Sequence, residues 1–248
     1  MPRYRQVQFS FGPPLTRMVK WLVIVTSAAF VVTWIPLQIF RSDFFALPFA
    51  WFSLQAHDVV HNFYLWELFT YLFLHGGWFH IIFNMFALWM FGSDLESLWG
   101  GKKFLYYYFL TGIGAGILDV TLNALLVQDS PPTIGCSGAV YGLLLAYGMI
   151  WPDRPIYLYM IIPIKAKWFV VIMGTIEFVS SLGGPGSGVS HFAHLGGMLF
   201  GFIYLRGWSF PYRLQLRYHE WRRAQLRKKF EVYMRDQEKG DKHGRWVN

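Results

Sequence analysis

Six stretches of the chain, at about 18 to 39, 76 to 92, 104 to 127, 135 to 151, 168 to 182 and 191 to 208, are apolar and lie between charged, glycine-rich or proline-rich breaks. A bilayer asks roughly 20 mostly apolar residues of a crossing helix, so the pattern predicts six spans. The first has an apolar run from Trp21 to Phe40 with no small-residue cleavage site closing it, which reads as a retained span rather than a removable signal peptide. Pro36 falls where that helix is about to stop. The connection of residues 41 to 66 carries Phe44, Phe45, Phe49, Trp51, Phe52, Phe63, Tyr64 and Trp66, which suits a segment lying in the lipid interface.

Composition agrees with this pattern. Apolar residues make up 54% of the 248 and charged residues 15%, which excludes a disordered chain and an ordinary soluble domain. A single cysteine, Cys136, excludes an intrachain disulfide framework and a cysteine-based zinc site. Charge is concentrated at one end: residues 209 to 248 hold 11 Lys/Arg and 5 Asp/Glu, so 16 of the 36 charged residues. The chain is therefore read as an N-terminal segment (1–17), a six-span body (18–208) and a basic tail (209–248). The tail has Leu214, Tyr218, Trp221, Leu226, Phe230 and Tyr233 near helical spacing among Arg and Lys, which suits an amphipathic helix on anionic lipid. It carries no nucleic-acid-binding motif.

Cytoplasmic segments of membrane proteins carry the excess of Lys and Arg. With six spans, the N-terminal stretch holds four, the second-to-third loop two, the fourth-to-fifth loop three and the segment from Arg206 twelve, leaving only Arg41 on the other side. Both termini are therefore expected in the cytoplasm, in a cell (inner or plasma) membrane. A soluble protein with buried apolar helices would have to produce that asymmetry by chance.

Polar residues inside spans are costly in lipid and point to function. Those of interest are His75, His80, Asn84, Asp119, Ser137, Glu177, His191 and His194. Even-numbered spans run inward, so His80 and Asn84, Ser137, and His191 and His194 are expected at one depth, a little below the outer surface. Gly138 and Gly142 in the fourth span, and Gly197 and Gly201 in the sixth, are spaced by four, as in helices whose backbones approach closely. His194 precedes Gly197 by three, so such packing would bring its imidazole to the Ser137 hydroxyl. A serine becomes nucleophilic when an adjacent base takes its proton, and histidine suits that role. Tyr141, one turn after Ser137, could stack on the ring. His80, Asn84 and the Ser137 amide offer donors for an oxyanion. No acidic third member is evident, and Asp119 and Glu177 are assigned to helix packing or gating.

Each element has a plainer explanation. Gly-x-Ser-Gly is a packing motif in many membrane helices, and His75 and His191 read as residues that bond a neighbouring helix. The coincidence of depth and sidedness across three spans favours chemistry. No His-Glu-x-x-His and no Gly-x-Gly-Asp segment is present, so neither a metalloprotease nor an aspartyl protease is indicated, and no metal or cofactor is implied.

Together, Leu74-His75-Gly76-Gly77-Trp78-Phe79-His80-Ile81-Ile82-Phe83-Asn84, then Gly92, Glu96 and Gly100 at intervals of four, Gly135-Cys136-Ser137-Gly138, and Ala193-His194-Leu195-Gly196-Gly197 with Gly201 resemble the rhomboid intramembrane serine proteases. The resemblance runs from about the first outer loop to the end of the sixth span. It implies an all-α membrane protein, a six-helix bundle with a serine–histidine dyad. Ser137 would be the nucleophile, His194 the base, His80, Asn84 and Ser137 the oxyanion hole, and Tyr141 the support of the histidine. The glycine-rich loop from Leu182 to Gly188 would cap the site, and the fifth span would help gate lateral entry. Two positions depart from the family pattern: Trp66-Glu67 stands where Trp-Arg is common, and Cys136 where alanine is usual.

The expected function is a serine endopeptidase that cuts single-span membrane proteins in or near their transmembrane segment through an acyl-enzyme. A non-catalytic relative that binds transmembrane helices is the rival, and it would be expected to lack Ser or His of the dyad. A transporter finds no internal repeat to support it. With no extra soluble domain in view, the chain reads as a minimal enzyme of bacterial type.

Overall fold

The structure is a computed structural model describing residues 12–126, 131–158, 162–183 and 190–207. The basic tail and residues 184–188 of the glycine-rich fifth loop lie outside the described residues. The chain divides into a body ending at Ile203 and a second unit from Tyr204 to Asn248, almost all of which is likewise outside them.

Each of the six apolar stretches is a helix: α1 is Arg17–Phe40; after three short helices (α2 Asp43–Phe52, α3 Ala56–His61, α4 Glu67–Thr70) come α5 Trp78–Ala87 and, through a π turn at Leu88–Gly92, α6 Ser93–Trp99; then α7 Gly101–Leu126, α8 Ser137–Ile150, α9 Ala166–Ser181 and α10 His191–Gly207. Two features were not legible in the pattern. The second stretch runs on to Trp99, where Gly100 turns the chain at φ +80°. Residues Pro155–Leu158 (β1) and Ile162–Lys165 (β2) pair as an antiparallel hairpin. Among the described residues two helices, α1 and α7, are long and apolar enough to cross a membrane, and the pair Glu67–Phe73 and Trp78–Trp99 qualifies together across a bend of 98°. α8 has 14 residues, about 21 Å at roughly 1.5 Å per residue.

The exterior is more apolar than that of a soluble bundle. Many large apolar side chains point outward, among them Val32 at 70%, Phe79 at 78% and Val179 at 59% exposure, while glycines, tyrosines, threonines and acids share the interior with leucines, alanines and phenylalanines. Lipid accepts an apolar exterior, and close helix contact in lipid needs small residues inside. α7 is the central helix, with 11 of its 26 residues buried against 4 of the 24 in α1. The Tyr107 hydroxyl donates to the Gly142 carbonyl at 2.8 Å and the Tyr71 hydroxyl to the Gly112 carbonyl at 2.6 Å, tying α7 to its neighbours.

Two buried carboxylates anchor the periphery. The first backbone N–H groups of any helix lack intrahelical partners, and at the start of α1 the Glu96 carboxylate of α6 accepts them, from Met18 at 2.9 Å and Val19 at 2.9 Å, with the Thr16 hydroxyl as a third donor. Glu67, the departure from the family pattern, faces inward and is fully buried, where one carboxylate oxygen accepts the Gln55 amide at 2.9 Å. Trp66 donates its indole N–H to the Trp51 carbonyl at 2.9 Å. The connection of residues 41 to 66 is thus pinned from within. Leu54 and Thr133 exchange backbone bonds of 2.9 and 2.8 Å, which ties that loop to the segment leading into α8.

Candidate active site

The site lies where the first turns of α8 and α10 meet. Gly135 adopts φ +111°, a conformation that favours glycine, and a side chain there would also strike the His80 ring, whose Nε2 stands 2.6 Å from the Cβ position. Its amide donates to the Tyr71 carbonyl at 2.8 Å. Ser137 follows at the first position of α8, half-buried.

Close approach of α8 and α10 requires glycine. A Cβ on Gly197 would lie 1.8 Å from the Gly138 carbonyl oxygen, and one on Gly138 would lie 3.1 Å from the Ala193 oxygen. The other member of each pair does something different from what its spacing implied. Gly142 makes room for Thr111, and Gly201 for the Tyr107 hydroxyl, both on α7. Gly138 and Gly197 form the α8–α10 seam, where Gly138 also admits Ala115 of α7, 2.5 Å from the Cβ position, and the second glycine of each pair seats the central helix.

Across that seam His194 Nε2 is 2.7 Å from Ser137 Oγ. His194 is 7% exposed, and the Tyr141 ring stacks on it with centroids 4.3 Å apart and planes at 14°. The start of α10 is set by Ser190, whose hydroxyl accepts the Ala193 amide at 3.2 Å, the usual helix-capping bond, and donates to Asp119 of α7. Asp119 also accepts from Asn123 at 3.0 Å. This acid therefore holds the end of the helix that carries His194.

His80 and Asn84 lie on α5 across from the Gly135–Ser137 turn, and Asn84 donates one amide hydrogen to the His80 carbonyl at 2.8 Å. His75 is fully buried, with Nε2 3.7 Å from Cys136 Sγ and its ring 4.8 Å from that of His80. Cys136 is buried and faces His75 rather than His194.

Sequence reasoning singled out Glu177 but assigned it to helix packing or gating rather than to this site. From α9 its carboxylate reaches the same cluster: the Tyr141 hydroxyl donates to Oε1, and Oε2 lies 2.6 Å from His191 Nδ1 and 3.0 Å from His194 Nδ1. The apolar surroundings of Glu177 in the sequence marked it as unusual. Its partners, on α8 and α10, could not be read from it.

Residues 62–209 match the family model described as the Rhomboid domain. The chain is 32% identical over 170 residues to RHOMBOID-like protein 1 of Arabidopsis thaliana, covering 67% of this chain and 40% of that one. It is 30% identical over 186 residues to Rhomboid-like protein 11, chloroplastic, of the same plant, covering 70% and 62%. To Rhomboid protease GluP of Bacillus subtilis it is 29% identical over 154 residues, covering 61% and 28%. The chain thus spans less than two thirds of each of these relatives.

Proposed function

The chain belongs to the rhomboid family, and on that premise we propose that it is an intramembrane serine endopeptidase acting on single-span membrane proteins in or near their transmembrane segment. The observation that carries this reading is the 2.7 Å contact between half-buried Ser137 Oγ and buried His194 Nε2, with Tyr141 stacked on the imidazole. A rhomboid-like helix binder has no use for such a pair. A relative that shares the domain is named a protease.

In the proposed reaction His194 Nε2 takes the Ser137 proton as Oγ attacks the scissile carbonyl. The charge that develops on the carbonyl oxygen is met by the Ser137 amide, the His80 ring and the amide hydrogen of Asn84 not engaged by His80. His194 returns the proton to the leaving amine, and water enters by the same route to release the acyl group. The substrate must be unwound locally, because a helix keeps its carbonyls in its own ladder.

The six helices serve as six spans in this reading. With both termini in the cytoplasm the site opens near the outer face of a cell membrane, and the basic tail rests on anionic lipid. Reporter fusions at the termini and at residues 41 to 66 test that orientation.

The decisive test is cleavage of a tagged single-span substrate by the purified protein in liposomes. Wild type is expected to cleave, and Ser137→Ala and His194→Ala to lose at least about 10³-fold in rate. A wild type that neither cleaves nor reacts with a fluorophosphonate probe at Ser137 overturns the reading in favour of a helix-binding role.

A further inference from the structure

The mechanism above uses one nitrogen of His194. The other, Nδ1, has no aligned hydrogen-bond acceptor among the described residues, yet Glu177 Oε2 lies 3.0 Å from it. Glu177 is itself 5% exposed, so its charge faces this cluster and not water. The imidazole therefore stands between the Ser137 hydroxyl on Nε2 and a carboxylate on Nδ1.

That placement matters for a base in this position. To receive the serine proton at Nε2, the ring must carry its hydrogen on Nδ1, and the imidazolium that forms needs a compensating negative charge. A carboxylate at Nδ1 supplies both. Such contacts are often loose without substrate and tighten in the reacting complex. Glu177 also acts on the ring by a second path: its Oε1 accepts the hydroxyl of Tyr141, whose ring is stacked on His194. One side chain of α9 thus bears on both the tautomer and the orientation of the base.

Two other uses of the cluster fit less well. As a simple packing contact, Glu177 would be satisfied by Tyr141 and His191 alone and would have no reason to approach His194. As a metal site, the three ligating atoms stand at hydrogen-bond spacing, 2.6 and 3.0 Å, whereas two ligands of a tetrahedral zinc at about 2.0–2.1 Å from the ion sit roughly 3.3 Å apart. A metal on His194 Nδ1 would also leave a hydrogen on Nε2 and abolish its basicity toward Ser137.

We infer that Glu177 is a positioning residue for His194, completing a Ser137–His194–Glu177 triad built across α8, α10 and α9. This rests on the protease reading above.

The test compares wild type with Glu177→Gln and Glu177→Asp in the full chain, measuring kcat and KM on the tagged substrate and the rate of fluorophosphonate labelling of Ser137. Glu177→Gln is expected to lower kcat by about 10²- to 10⁴-fold, to leave KM within about threefold, and to slow labelling in proportion to kcat; Glu177→Asp, which keeps the charge, is expected to lie above Gln. A Glu177→Gln enzyme with wild-type kcat and labelling overturns the inference. So does a variant with raised KM and unchanged labelling, which would make Glu177 a gate for the substrate. Should the Gln variant fail to fold, the wild-type proton NMR spectrum decides. A strongly downfield imidazole N–H resonance that His194→Ala removes and His191→Ala leaves supports the triad, and its absence overturns it. If wild type neither cleaves nor labels, the protease reading itself has failed, an outcome distinct from an active enzyme indifferent to Glu177.

Discussion

Glu96 and Glu177 are both buried carboxylates among helices, and their surroundings differ in kind. Glu96 is surrounded by donors that never change state: two backbone amides at the start of α1 and the Thr16 hydroxyl. It acts as an external cap, favoured further by the positive end of the helix dipole. Glu177 faces two imidazoles and a phenol, groups that can hold or release a proton. A buried acid with fixed donors is a structural fastener, and one among titratable partners can do chemistry. Glu67 is a third case: one oxygen accepts the Gln55 amide and the other has no partner among the described residues, and burial raises its carboxyl from 4.5 to about 7.

The contrast can be broken by exchanging what each acid is asked to do. The largest effect is expected at Glu177, where replacement by Gln removes charge at constant shape: turnover falls as stated above while the melting temperature in detergent stays close to wild type. At Glu96 the pattern should reverse. Glu96→Ala strands the opening amides of α1 and should cost about 3 kcal/mol, read from denaturant unfolding in micelles, with specific activity of the folded fraction preserved. Loss of turnover without loss of stability at Glu96 would refute the distinction.

Gly197→Ala probes the seam between the two helices and should affect both quantities moderately. The new methyl meets a backbone oxygen, which cannot rotate aside. Overpacking of this kind costs about 1–3 kcal/mol, and displacing His194 from Ser137 by about 1 Å should lower turnover by roughly 10²-fold. Gly174→Ala is the control, since its nearest neighbour is the flexible end of Met198 at 3.3 Å.

The smallest effect concerns Glu67 and pH. Its folded-state value is raised above that of the unfolded chain, so its contribution is fully present below about 4.5 and is lost as pH rises toward about 7. The first-listed cause is burial, with Asp58 adding to it and the Gln55 amide opposing it. Melting temperature should therefore fall modestly across that window in wild type, and Glu67→Gln should flatten the dependence and be the more stable protein at pH 8. An unchanged slope in the variant would move the effect to another group.

Much of the helical layout was legible because a bilayer imposes long apolar segments, a pattern that survives in one dimension. Small residues at spacings of four announced close helix contacts, and Gly138 and Gly197 do meet, but which neighbour each glycine served was not written in the spacing. Gly142 and Gly201 looked like the same contact and instead seat Thr111 and Tyr107 of α7. A helix face is one-dimensional information, whereas the choice of neighbour depends on the rotation and offset of every helix around it.

Sequence by itself determined that the six apolar stretches are helical and that Ser137 and His194 fall in the first turns of two of them. Tertiary structure alone decided that Glu177, 17 residues before His194 and 40 after Ser137 in the numbering, turns its carboxylate toward the imidazole, and that Asp119 holds the cap of α10 through Ser190. The reason is physical. Period and composition act through local backbone geometry and the solvent, while the direction of one side chain across a helix interface follows from the simultaneous packing of all its neighbours.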